Sequence, residues 1–229
     1  MSTRILELRT RVLDKNERIA SELHQRLHDA GVVTFNLVSS PGSGKTALLE
    51  RVLRELTEGG ARACALVGDL ETDNDARRLA RSGARVRQIV THGACHLEAE
   101  QIRDYLGEWD PESMDYLFIE NVGNLVCPSS FDLGEDVRVV LLSVTEGEDK
   151  PLKYPGTFQN ADVAVITKID IAAACECDLE LLRANLRTVQ PGLRVFETSA
   201  KSGQGVREFV EYVRREDVSR SAWQSDANL

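Results

Sequence analysis

The sequence runs to 229 residues with a formal charge of -9, 42% apolar and 28% charged residues, the balance of one soluble globular domain with a sizeable core. Its acidity excludes nucleic acid and an anionic membrane surface as the main partners, although a local nest of amides can still hold a phosphate. The charged opening stretch MSTRILELRTRVLDKNERIA gives no expectation of a signal peptide, nothing elsewhere approaches a membrane span, and five cysteines, an odd number, argue against a disulfide scaffold.

In chain order, Ile5, Leu8 and Val12, then Ile19, Leu23 and Leu27, recur among charged residues before Gly31. This spacing predicts an amphipathic helix over 4–30 with a break near Asn16, packed on the domain or on a second subunit. The stretch 32–50, VVTFNLVSSPGSGKTALLE, passes from an apolar, β-branched run through a small-residue turn straight into a helical pattern. Within it Ser39, Ser40, Pro41, Gly42, Ser43, Gly44, Lys45 and Thr46 read as a phosphate-binding loop, with Ser39 where the first Gly of G-x-x-x-x-G-K-T is usual. Glycines let backbone N–H groups converge on phosphate oxygens, and the following helix N-terminus adds partial positive charge. Lys45 is expected at the β- and γ-phosphates and the Thr46 hydroxyl on Mg²⁺, with Ala47 next along the helix. An ordinary Gly/Ser turn would leave GSGKT at this junction a coincidence.

A helix over 47–57 stops at Gly59-Gly60, and ARACALVGDL follows as a second strand with Asp69 near its end. A helix over 73–82 is closed by Gly83, VRQIV is a third strand, and Cys95 and His96 precede a helix over 97–105. DYLFIE, 115–120, is a fourth strand, with NVGNLVCPSSFDLG as a loop after it. Strands follow at 137–144, 161–167 and 193–197, helices at 179–189 and 206–215, and a polar tail begins at Asp217. Apolar runs alternating with helices predict an α/β fold, a single P-loop domain whose mostly parallel sheet of about seven strands is covered by helices on both faces. It spans 32–216, between the helical extension 1–31 and the tail 217–229. In such a sheet ligands bind beyond the carboxyl ends of the strands.

Thr167-Lys168-Ile169-Asp170 resembles the N-K-x-D element of GTP-binding proteins, with Thr in place of Asn. The Asp170 carboxylate can accept hydrogen bonds from guanine N1–H and the 2-amino group, donors that adenine lacks. Lys168 is expected along the base, and Thr167 to make part of the contacts of an Asn. In TSAK the Ala200 amide is expected at guanine O6, with Lys201 beside it. Each short word also fits a solvated strand end; together and in order they favour GTP over ATP. Glu120-Asn121-Val122-Gly123 stands where a D-x-x-G phosphate sensor is expected: the Gly123 amide for the γ-phosphate, Glu120 for Mg²⁺ or the attacking water. Asp69 and Asp75 are further candidates for Mg²⁺ or water, or else a strand-end turn and a helix N-cap.

Cys95, His96 and Cys127 carry the ligand types that zinc and nickel take. A helix N-terminus close to Cys95 is expected to lower its pKa. The same residues also fit small buried fillers and a helix-end imidazole. Because Cys127 follows Glu120 and Gly123 in one loop, ordering by a γ-phosphate is expected to carry its thiol along. His92 is a spare ligand, Cys64 a core residue, and Cys175 and Cys177 either a secondary metal site or incidental loop thiols.

The words VVTFNLVSSPGSGKTALLE, GACHLEA, ENVGNLVCP, SVTEGEDKPLKYP and TKID together resemble the nickel-incorporation GTPases of hydrogenase maturation, the HypB type. The related urease nickel GTPases carry Cys-Pro-His where this chain has Cys127-Pro128-Ser129. The resemblance implies a cytoplasmic GTPase that dimerises on binding GTP and delivers nickel to the hydrogenase large subunit, working with a small nickel-carrying accessory protein. It also implies a Ni²⁺ or Zn²⁺ site from Cys95, His96 and Cys127, shared across the homodimer. Lys150 and Lys153 are either solvated charges or residues that cross that interface. The competing classes are a GTPase for another metalloenzyme such as urease, an ATP-using P-loop kinase, and a metal-binding module with a vestigial nucleotide site.

Overall fold

The computed structural model describes residues 3–69, 74–91 and 93–215, with side chains from residue 12 onward. Helix α1 (Thr3–Asp29) leads into β1 (Val33–Ser39), α2 (Lys45–Glu58), β2 (Ala63–Asp69), α3 (Asn74–Ala80) and β3 (Arg85–Val90). Then come α4 (Ala99–Leu106), β4 (Tyr116–Gly123), β5 (Val137–Ser143), α5 (Lys150–Lys153) and α6 (Pro155–Gln159). The chain continues through β6 (Val163–Thr167), α7 (Leu179–Val189), β7 (Arg194–Glu197) and α8 (206–215). The strands form one seven-stranded sheet in the order β3-β2-β4-β1-β5-β6-β7, and every pairing between them is parallel.

The apolar runs have the meaning expected of them. All seven positions of β1 are buried, and alternate residues serve opposite faces. Val33, Phe35 and Leu37 join Leu49, Leu53 and Val210 beneath α2 and α8. On the other face Leu66, Leu117 and Ile119 meet Ile19, Leu23 and Leu27 of α1 and Ile102 of α4. Farther along that face Val140, Leu142 and Ile166 meet Phe158, Leu182 and Leu186 of α6 and α7. A sheet buried on both sides in this way leaves its carboxyl edge as the place for chemistry.

Four expectations need correction. Helix α1 is not broken at Asn16; it runs without interruption through that residue. The Asn16 side chain is 5% exposed and fully engaged, its Nδ2 donating to Asp132 O at 2.7 Å and its Oδ1 accepting from Ala99 N–H at 2.9 Å. It therefore satisfies one of the open N–H groups at the start of α4. Val12 does not pack with the stripe below it and is 48% exposed, while the side chains of Ile5 and Leu8 lie outside the described residues. Residues 121–123 are not loop: β4 continues to Gly123, where it pairs with Ser39. Finally, α4 begins at Ala99 rather than 97, because Glu98 and Gln101 form a reciprocal capping box.

Candidate functional site

The loop between β1 and α2 closes through glycines at positive φ, 74° at Gly42 and 96° at Gly44, conformations that side-chain-bearing residues resist. Lys45 thereby enters the first turn of α2 with its Nζ directed back to Ser39 Oγ at 2.9 Å. Ser39, the departure from the usual glycine, thus places a buried hydroxyl beneath the lysine, and Ser43 Oγ bonds to the same oxygen. Burial lowers the Lys45 pKa, partly opposed by the charges of Glu120, Asp75 and Glu146. A cavity of about 400 Å³ opens here, lined by residues 41–47 together with Asp69, Asp75, Arg78, Glu120 and Gly123.

Glu120 is brought to this cavity by β4, the neighbour of β1. Thr46 Oγ1 donates to its Oε1 at 2.6 Å, while Oε2 is buried with no hydrogen-bond partner among the described residues. Burial pushes the carboxyl up to about 7, against the pull of Lys45 and Thr46. A partnerless carboxylate oxygen, a threonine hydroxyl and the nearby carboxylates of Asp69 and Asp75 form the hard oxygen set that suits Mg²⁺. Asp75 sits within the first turn of α3, so the N-cap reading is corrected. Gly123 lies so close to the loop that a Cβ there would stand 3.0 Å from Pro41 Cα.

A second cavity of about 280 Å³ lies on the opposite flank of the loop. Gly44, Ala47 and Leu48 form one wall, and Thr167, Lys168, Asp170, Ala200 and Lys201 the other. Thr167 Oγ1 donates to Ser43 O at 2.5 Å, and Lys168, held at φ 60°, donates from Nζ to Gly42 O at 2.7 Å. Both residues thus fasten the phosphate loop. The two sequence words meet where Ile169 N–H donates to Thr198 O at 3.2 Å.

Cys95, His96 and Cys127 come together with all three ligand atoms within 4.8 Å of one another. Cys95 Sγ lies 3.5 Å from His96 Nδ1. The imidazole rests on Phe131, ring centres 3.9 Å apart, and its buried Nε2 is 3.7 Å from Glu98 Oε1. Burial lowers the His96 pKa and favours the neutral, metal-binding form. The expected lowering at Cys95 is not what the structure gives: the thiol beside it, Cys127, together with burial, pushes its pKa up. Cys64 is buried in β2, where burial raises its pKa to about 11. Among the described residues Cys175 and Cys177 join no cluster of three ligands, and His92 lies outside them. Lys150 pairs with Glu146 at 3.3 Å and Lys153 with Asp149 at 2.6 Å.

Sequence reasoning passed over Arg78 and the Asn121 side chain. Arg78 follows Asp75 by three positions, the spacing that puts two helical residues on one face, and that signal could have found it.

A family model described as the CobW/HypB/UreG nucleotide-binding domain matches residues 33–197. The hydrogenase maturation factor HypB of Azotobacter vinelandii is 43% identical over 226 residues, covering 98% of this chain and 74% of that protein. Among solved structures, hydrogenase maturation factor HypB from Archaeoglobus fulgidus superposes with a TM-score of 0.83 at 37% identity, covering 89% of this chain and 99% of that one. HypB from Helicobacter pylori, solved in complex with nickel, gives a TM-score of 0.83 at 39% identity over 90% and 96% of the two chains. With a nucleotide-binding model spanning the sheet and HypB proteins aligned along nearly its whole length, the chain belongs to the HypB branch of the CobW/HypB/UreG family.

Proposed function

We propose that this chain is a Mg²⁺-dependent GTPase whose turnover promotes nickel insertion into the large subunit of nickel–iron hydrogenase. The observation that carries this reading is the double service of one strand. β4 ends with Glu120 and Gly123 against the phosphate loop, and Cys127, four residues beyond, completes the cluster with Cys95 and His96. In this reading residues 41–47 and Gly123 hold the phosphates, while Thr167, Lys168, Asp170, Ala200 and Lys201 receive the guanine. Lys45 offsets charge on the γ-phosphate. Glu120 orients the attacking water. Thr46, Asp69 and Glu120 would hold Mg²⁺, which when bound supplies charge neutralisation on the phosphates; Asp75 is a further ligand to water.

Nickel is cargo in this scheme, bound by Cys95, His96 and Cys127, ligands that admit Zn²⁺ equally. Three ligands leave a tetrahedral position for water or a thiol from the partner of a GTP-dependent homodimer. A small nickel-carrying accessory protein is the donor, and the setting is cytoplasmic, as the family resemblance implies. In this reading the GTPase domain begins at residue 32, and the helical extension before it packs on the domain. Nucleotide competition and Ni²⁺ titration of wild type, Lys45→Ala and Cys127→Ala test the scheme. GTP preferred over ATP, hydrolysis lost in Lys45→Ala and Ni²⁺ binding lost in Cys127→Ala are expected. A preference for ATP, or hydrolysis equal to that of Lys45→Ala, would overturn it.

A further inference from the structure

Between Glu120 and Gly123 stands Asn121, 1% exposed. Its Oδ1 accepts from the N–H groups of Leu97 at 3.2 Å and Val122 at 2.9 Å, and its Nδ2 donates to Asn36 Oδ1 at 3.3 Å. Asn36 Nδ2 donates in turn to Glu135 Oε1 at 3.0 Å, and Arg138 Nε donates to that same oxygen at 2.7 Å. The other guanidinium nitrogens of Arg138 reach Ser129 O at 3.2 Å and Phe131 O at 3.0 Å. This line of bonds begins one residue after His96 and ends on the segment that follows Cys127, where Phe131 carries the imidazole. Both segments that supply metal ligands therefore hang from the same buried line, and its middle link belongs to the strand that borders the phosphate cavity.

A buried amide with both ends engaged cannot shift without dragging or breaking its bonds, because an unpaired buried polar group is costly. A displacement of residues 120–123 by a γ-phosphate therefore reaches the Leu97 amide directly, and reaches the 127–131 segment through Asn36, Glu135 and Arg138. Cys127 on its own chain segment could follow the phosphate, but Cys95 and His96 lie on a separate loop and need such a tie to move in step. We infer that Asn121 is a positioning residue that couples the nucleotide cavity to the geometry of the Cys95, His96 and Cys127 site, with Asn36 as its relay. The inference deepens the proposed function and rests on nucleotide and metal binding at these two places.

The test compares Ni²⁺ affinity with GDP and with a non-hydrolysable GTP analogue in wild type, Asn121→Ala, Asn36→Ala and the double variant. Asn36 lines none of the cavities described above, so its variant probes the relay without touching either ligand. Wild type is expected to change Ni²⁺ affinity between the two nucleotides by about fivefold or more. Asn121→Ala should bring that ratio below about twofold, Asn36→Ala, which cuts only the limb toward 127–131, should lower it part of the way, and the double variant should do no more than Asn121→Ala alone, the mark of one shared path. Amide hydrogen exchange at Leu97 in wild type, which needs no variant to fold, should differ between the two nucleotides. A ratio retained in both variants, or Leu97 exchange indifferent to nucleotide, overturns the inference while leaving the GTPase and metal site intact. A wild-type affinity that ignores the nucleotide overturns the coupling itself, and a chain that binds no Ni²⁺ removes the metal reading beneath it.

Discussion

Thr46 Oγ1 donates to Glu120 Oε1 across 2.6 Å, fastening the first turn of α2 to the carboxylate that β4 delivers. The bond stabilises the ionised carboxylate, yet burial outweighs it and the charge of Lys45, leaving the group near pH 7 rather than its usual 4.5. A carboxyl raised in the folded state holds its proton more tightly there than in the unfolded chain. Its contribution to stability is therefore fully present below about pH 4.5, declines as pH rises, and levels off above about 7. Glu120→Gln removes that titration. In nucleotide-free protein without Mg²⁺, the variant should gain roughly 2 kcal/mol relative to wild type between pH 5 and 7.5. Denaturant unfolding at the two pH values measures this, and a wild-type-to-variant difference independent of pH would refute it.

The parallel sheet, its burial on both faces and the phosphate loop were legible because their signals are local: apolar runs, small-residue turns and helical periodicity. What escaped depended on partners far along the chain. Asn16 reads as a helix breaker from its own propensity, but its bonds go to Asp132, 116 positions away, and Ala99, 83 positions away. Residues 121–123 read as loop from their Asn and Gly, and only the pairing of Ser39 with Gly123 makes them strand. The Cys95 thiolate was expected from a nearby helix end, whereas a second thiol from another loop decides its titration. The Cys-His word and Cys127 were visible as residues, but their meeting within 4.8 Å belongs to the fold.

Asp170 is expected to choose the base. It lines the second cavity with Lys168 and Ala200, and a carboxylate there rewards the two donors of guanine that adenine lacks. Asp170→Ala should weaken GTP by about 100-fold and bring GTP and ATP to within about tenfold of each other. Fluorescent-nucleotide competition reads both numbers. A variant that keeps its preference for GTP would move base selection to another residue.

Arg78 should matter to turnover more than to binding. It is the cation besides Lys45 among the described residues lining the phosphate cavity, and its Nε is held by Glu50 Oε2 at 2.7 Å. That ion pair is solvent-exposed and weak enough to exchange for a phosphate oxygen. A guanidinium engaging the γ-phosphate as charge develops would lower kcat when removed and leave KM nearly unchanged. Arg78→Ala is expected to cost about tenfold or more in kcat for GTP, with Arg78→Lys between it and wild type. Unchanged kcat in steady-state phosphate release would confine Arg78 to its pair with Glu50.

Gly123 should tolerate no side chain. Its backbone lies against the phosphate loop, where an added Cβ would stand 3.0 Å from Pro41 Cα and 3.2 Å from Pro41 N. Both neighbours are backbone or ring atoms that cannot rotate away, so either β4 or the loop must shift. Overpacking of this kind costs about 1–3 kcal/mol, and here the displaced element is the one meant to hold phosphate. Gly123→Ala should lower unfolding stability by that amount and weaken a GTP analogue by about tenfold, more than it weakens GDP, because the γ-phosphate lies nearest the strand end in the proposed pose. Gly156→Ala serves as the matched control, since nothing lies within 4 Å of a Cβ there. Equal losses for the two nucleotides would place Gly123 in the support of the loop as a whole rather than at the terminal phosphate.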